Sequence, residues 1–181
     1  MKKTKTFLAI FVVCLALVVA GCGPQSVHQI KQELNTVTAT ADAAVRRNHG
    51  NYTSGVYGPV GSDKAVATRV KVATVLNDVL VPIAVAVEVS KTLNAANFTG
   101  SKAQIVQLLQ TAVNKATQQS TGNRDIDLAL QAIAVALNTA LGVIQAFTSA
   151  DIRMSPGAML NDQSLALQKI ISANQEARSC V

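Results

Sequence analysis

RDIDLALQAIAVALNTALGVIQAFTSA, residues 124–150, decides the fold. From Leu128 to Ala150 it carries no charged residue, and by length alone it would pass for a membrane span. The spacing says otherwise. Arg124, Gln131, Asn138 and Gln145 recur every seven residues and draw one polar stripe down a helix, opposite Ile126, Leu130, Ile133, Leu137, Leu141 and Ile144. Hydrocarbon would leave those amides without partners, whereas water or a neighbouring helix satisfies them. The stretch therefore predicts a helix of a water-soluble bundle.

The segments on either side repeat the pattern. Val27, Ile30, Leu34, Val37, Ala41 and Ala44 alternate spacings of three and four, the seam of an amphipathic or coiled helix. Arg46 and Arg47 fall near its end, where cations suit the negative end of the helix dipole, and His49-Gly50-Asn51 marks the expected stop. Ser62-Asp63 caps a second helix running to about Asn97. Its middle, Val79 to Val87, is apolar on every side, which places it in a core or an oligomer interface. Pro82 should kink it, and the valines also allow a strand with Ile83, Val85, Val87 and Val89 on one face. Ala-rich helical flanks favour the helix. Asp78 and Glu88 read as solvated ends of this buried stretch, not as a catalytic carboxylate pair.

Phe98-Thr99-Gly100-Ser101 breaks the chain before a shorter helix carrying Ile105, Leu109, Ala112, Val113 and Ala116. Thr121-Gly122-Asn123 and Ser155-Pro156-Gly157 make the last two turns, and Asn161-Asp162 caps a final helix with Leu165, Leu167, Ile170, Ile171 and Ala177. The expected fold is all-α, an antiparallel bundle of four to five helices in one domain over residues 27–181. No fixed-period repeat indicates a solenoid.

One long connection interrupts the helices. Residues 48–62, NHGNYTSGVYGPVGS, hold four glycines, a proline and both tyrosines, Tyr52 and Tyr57. Such a loop either folds back over the open end of the bundle or offers its aromatics to a partner. Tyr52, Tyr57, Arg46 and Arg47 are accordingly the candidate partner contacts. The glycines do not supply the order G-x-x-x-x-G-K-[ST] that cradles phosphate.

Chemistry is scarce elsewhere. His28 and His49 lie 21 residues apart with no metal-ligand spacing, and no motif prepares a serine or cysteine nucleophile. Neither a metal, a cofactor nor an enzymatic activity is expected. Nucleic acid is not an expected partner either, because the basic residues form no patch.

The first residues, MKKTKTFLAIFVVCLALVVAGCGPQ, form a unit of another kind. Lys2, Lys3 and Lys5 precede an uncharged apolar run that closes on Val19-Ala20-Gly21-Cys22, the order of a secretory signal and shorter than a membrane span. The closing tetrad resembles the lipobox of bacterial lipoproteins. That resemblance covers residues 1–22 only. It implies cleavage between Gly21 and Cys22, a lipid on Cys22, and a mature protein held in the cell envelope. Gly23, a non-acidic residue after the cysteine, implies the outer membrane in a host that has one.

Removing 21 residues takes three lysines away and leaves 13 basic against 10 acidic residues, a balance of +3. Residues 22–26 make a short tether. Cys14 departs with the signal and Cys22 is lipidated, so Cys180 is the remaining thiol, free or paired in a homodimer. The expectation is a lipid-anchored envelope protein whose helical module binds another protein or the cell wall. The alternative is a carrier holding a lipid or other small apolar ligand in the bundle interior.

Overall fold

The computed structural model describes residues 26–93, 96–148 and 161–179, with side chains over 29–93, 96–148 and 168–177. Gly21, Cys22 and Cys180 lie outside the described residues, as do the turn at 155–157 and the side chains of His28, Leu165 and Leu167. Five helices follow in order: α1 Ser26–Thr53, α2 Asp63–Lys91, α3 Phe98–Gln118, α4 Arg124–Ala146 and α5 Asn161–Ser179. Among the described residues there is no strand, and residues 79–87 are helical.

The first four helices close a ring. α1 packs on α4, α4 on α3, α3 on α2 and α2 on α1, while α5 lies across α2 and α1. Neighbours in the ring run antiparallel. Near the end of α1, Arg47 Nη1 donates to the Asp125 carbonyl at the start of α4, 3.3 Å away. At the opposite end, Lys102 Nζ in the first turns of α3 donates to the carbonyls of Gln145 and Phe147, at 2.8 and 2.6 Å, where α4 finishes.

The apolar seams meet inside this ring. Ile126, Leu130, Ile133, Leu137 and Ile144 of α4 are each at most 1% exposed, and Ile30, Leu34, Val37, Ala41 and Ala44 of α1 match them. The stripe of Arg124, Gln131, Asn138 and Gln145 faces solvent. Among the described residues two helices, α2 and α4, are apolar enough to cross a membrane by length and composition; each places one face in the shared core and leaves Val81 and Val85, or Leu128 and Val135, exposed. At roughly 1.5–3 kcal/mol for each buried aliphatic side chain, this burial is the main stabilising term.

Boundaries differ from the periodicity in places, each for a local reason. α1 runs through Gly50 to Thr53 instead of stopping at His49-Gly50-Asn51. A helical glycine costs only about 1 kcal/mol, and the buried Asn48 and half-buried Tyr52 hold the last two turns against the bundle. The connection is thus shorter than 48–62. It covers residues 54–62, with Gly55, Gly58 and Gly61 at φ values of 77°, 124° and 83°, a region that residues with a Cβ seldom enter. α2 ends at Lys91, short of Asn97. α3 starts within the expected break, because Phe98 is only 2% exposed and its burial outweighs the cost of Gly100. Pro82 sits buried within α2, which continues through it.

Two caps fix the register. Ser62 Oγ accepts the Ala65 N–H at 3.3 Å, and Asn123 Oδ1 accepts those of Asp125 and Ile126, both at 3.1 Å. Asp127 ties down the turn before α4. Its Oδ1 accepts the N–H and the hydroxyl of Thr121, each at 2.8 Å, and its Oδ2 accepts the Ser120 hydroxyl at 2.9 Å. Burial alone would raise this carboxyl, but those three bonds, with Lys71 nearby, outweigh it and hold it below 3.8.

A depressed carboxyl adds stability that is fully present above its unfolded pKa and lost as pH falls through its folded one. Asp127→Asn is expected to cost about 1–3 kcal/mol at pH 7, the worth of bonds to a charged acceptor. The gap to the wild type should close as the pH drops below 3.8. Thermal melts of both proteins from pH 7 to pH 2.5 check this.

Candidate functional site

α5 packs chiefly on α2 and only lightly on α1. Ile170, Asn174 and Ala177 are its buried side chains among those described, and Asn174 Nδ2 donates to the Ala73 carbonyl of α2 at 2.8 Å. Because α5 rides on α2 as well as α1, the cleft between α1 and α5 does not close. A groove of about 870 Å³ remains.

Its floor is formed by Thr38, Val45 and Asn48 of α1 and by Ile170 and Ala177 of α5, all buried. Its rim carries Ala39, Asp42, Arg46 and His49 on one side and Lys169, Ala173 and Glu176 on the other, with Arg69 of α2 at the base. Asp42 and Arg46 form an ion pair at 2.7 Å, one helical turn apart. A second groove, about 470 Å³, runs between α3 and α4 and is lined largely by amides, among them Gln110, Asn114 and Asn138. Both grooves lie outside the core. Around Pro82 the interior is packed, with Val79, Leu80, Ile83, Ala86 and Val87 at most 1% exposed.

The turn at 54–62 is stitched to the mouth of the first groove. Tyr57 is 5% exposed, and its hydroxyl donates to Asn48 Oδ1 at 3.0 Å. Asn48, itself 1% exposed, reaches on to the Arg69 carbonyl through Nδ2 at 3.4 Å. Burial pushes the Tyr57 phenol above its ordinary 10.0. Tyr52 is half-buried, and the Arg69 guanidinium stacks over its ring at 4.6 Å from the centroid, a cation–π contact. The connection therefore folds back over the bundle end. Its exposed large apolar side chains are Val56 and Val60, at 56 and 58%.

Of the residues singled out in the sequence, Arg46, Tyr52 and Tyr57 are gathered at this end of the molecule. Arg46 lines the groove, Tyr52 braces Arg69, and Tyr57 is bonded to Asn48. Arg47, one position and about 100° further round the helix, turns to α4 and does not line the groove. Asp78 and Glu88 are separate surface groups: Asp78 accepts from Gln119 at 3.2 Å, and Glu88 pairs with Lys91 at 2.8 Å. No cluster of three metal-ligating side chains occurs among the described residues.

Arg69, Asn48 and Lys169 escaped the sequence reading. The one available signal was an arginine in the valine- and alanine-rich stretch Val66 to Leu76, where Lys71 is the other cation. The structure defines an all-α bundle, a four-helix ring with a fifth helix laid over one edge. No family model, curated protein or solved structure matches the chain.

Proposed function

We propose that this chain is a lipid-anchored protein of the bacterial cell envelope and that its bundle is a binding module without catalytic activity. The signal-like residues 1–21 and the lipobox resemblance ending at Cys22 support the anchor. One acyl chain holds a protein marginally and two or three hold it firmly. Because α1 begins at Ser26, the tether of residues 23–25 spans about 10 Å at most, so the bundle stands at the membrane surface.

The observation that carries the binding role is the α1/α5 groove. Its volume falls within the range of about 300–1,000 Å³ typical of ligand sites, and its surface is largely apolar, with charged and amide side chains interleaved along it. It takes over both sequence-based expectations. A partner would meet Arg46 and the braced Tyr52 beside it, while an apolar ligand would lie in the groove and not in the packed interior.

A photoreactive side chain at Ala39 in the groove, compared with one at the exposed Gln107 of α3, tests this in living cells. A distinct adduct, of whatever mass, formed from Ala39 and absent from Gln107 is expected. The same adducts from both positions would remove the groove from the account.

A further inference from the structure

The charges around the α1/α5 groove are unequally engaged. Both rim carboxylates have partners, Asp42 through its ion pair with Arg46 and Glu176 through another contact. The cations Arg69 and Lys169 have no acceptor among the described residues. Arg69 is the more telling of the two. It is half-buried, its Nε is shut off from solvent without a hydrogen bond, and its guanidinium lies over the Tyr52 ring.

A guanidinium partly withdrawn from water without a counter-charge carries a cost that an anion would relieve. Holding it rigid makes sense when an anion arrives to complete it, because a planar fork binds a carboxylate or phosphate through two parallel bonds. Beside that charge lies a strip of Ala39, Val45, Ile170, Ala173 and Ala177, with no polar atom in any side chain. A ligand with one anionic end and an apolar remainder would match both features.

We propose that the groove binds a single-chain amphiphile with an anionic head, the head on Arg69 and Lys169 and the chain along the alanine-lined strip. This rests on the groove being the working surface and adds the chemistry of what fills it. An acidic peptide helix would satisfy the same cations. The groove volume of about 870 Å³ suits one acyl chain and its head better than a helix of several turns.

The test uses the full chain in phosphatidylcholine vesicles with three photoactivatable probes of one chain length: a fatty acid, a monoacyl phosphate and the neutral fatty alcohol. Adducts are mapped by peptide mass spectrometry. The fatty acid, the phosphate or both should label residues 35–49 and 169–177, at least about 10-fold above the alcohol. Whichever of the two labels more strongly identifies the head group. Arg69→Gln should reduce that labelling by about 10-fold or more, the loss of one charge-assisted contact. Ala173→Leu fills the strip from an exposed helical position and should block labelling in a protein that melts like the wild type; it decides the matter if Arg69→Gln melts early. Equal labelling by the alcohol, or groove labelling insensitive to Ala173→Leu, overturns the amphiphile. A protein adduct from Ala39 in cells would keep the groove and replace its ligand with a peptide.

Discussion

Leu137→Ala is expected to lower the stability of the bundle by about 2–5 kcal/mol, the cost of deleting a fully buried leucine and leaving a cavity. Leu137 is 0% exposed at the middle of α4, in the same cluster as Leu34, Leu76 and Leu109 from the other three ring helices. All four ring helices contribute to that cluster, and a close-packed interior relaxes only partly around a void. For a domain of about 160 residues the loss corresponds to a Tm lowered by roughly 5–15 °C. Val135, two positions away and 67% exposed, sets the control. Val135→Ala should stay within about 0.5 kcal/mol. Thermal or denaturant melts separate the two, and equal costs would mean that α4 does not present this face to the core.

The contrast between these neighbours shows how much the sequence disclosed. On α4 and α1 the apolar spacing names the buried residues almost one for one, since Ile126, Leu130, Ile133 and Leu137 on one helix, and Ile30, Leu34 and Val37 on the other, can all be inward only if both segments are helical. The Ser62 cap was legible too, because a short polar side chain just ahead of a helical run satisfies the first free N–H groups, whereas Asn123, read only as part of a turn, caps α4 unannounced. The helix ends were harder. Gly50 and Gly100 read as breaks because their intrinsic cost is local, while the contacts that override it, around Tyr52 and Phe98, come from elsewhere in the chain.

The candidate site was less legible still. Tyr57 could be named from composition, but its partner Asn48 could not, because the bond depends on where the turn lands. The pairing of α1 with α5 brings Arg46 and Lys169 to one groove across 123 positions of sequence. No periodicity encodes such a meeting. It follows from α5 lying on α2 through Asn174 and so leaving α1 half-covered.

The second large effect concerns the proposed anchor, on which the proposed location rests. Cys22 is the sole cysteine at the end of the signal-like run, so the proposed lipid would sit on its sulfur. Each buried methylene holds by roughly 0.8 kcal/mol, so losing two or three chains changes partitioning by many orders of magnitude and not by a fraction. In the bundle, α2 and α4 bury Leu76, Leu80, Ile83, Leu130, Ile133 and Leu137 in the shared core.

The deciding measurement is fractionation of host cells expressing the wild type or Cys22→Ser after metabolic labelling with a fatty acid. The wild type should carry label and sediment with membranes, and Cys22→Ser should lose the label and no longer sediment as firmly. A Cys22→Ser protein that sediments with membranes as firmly as the wild type would contradict the account.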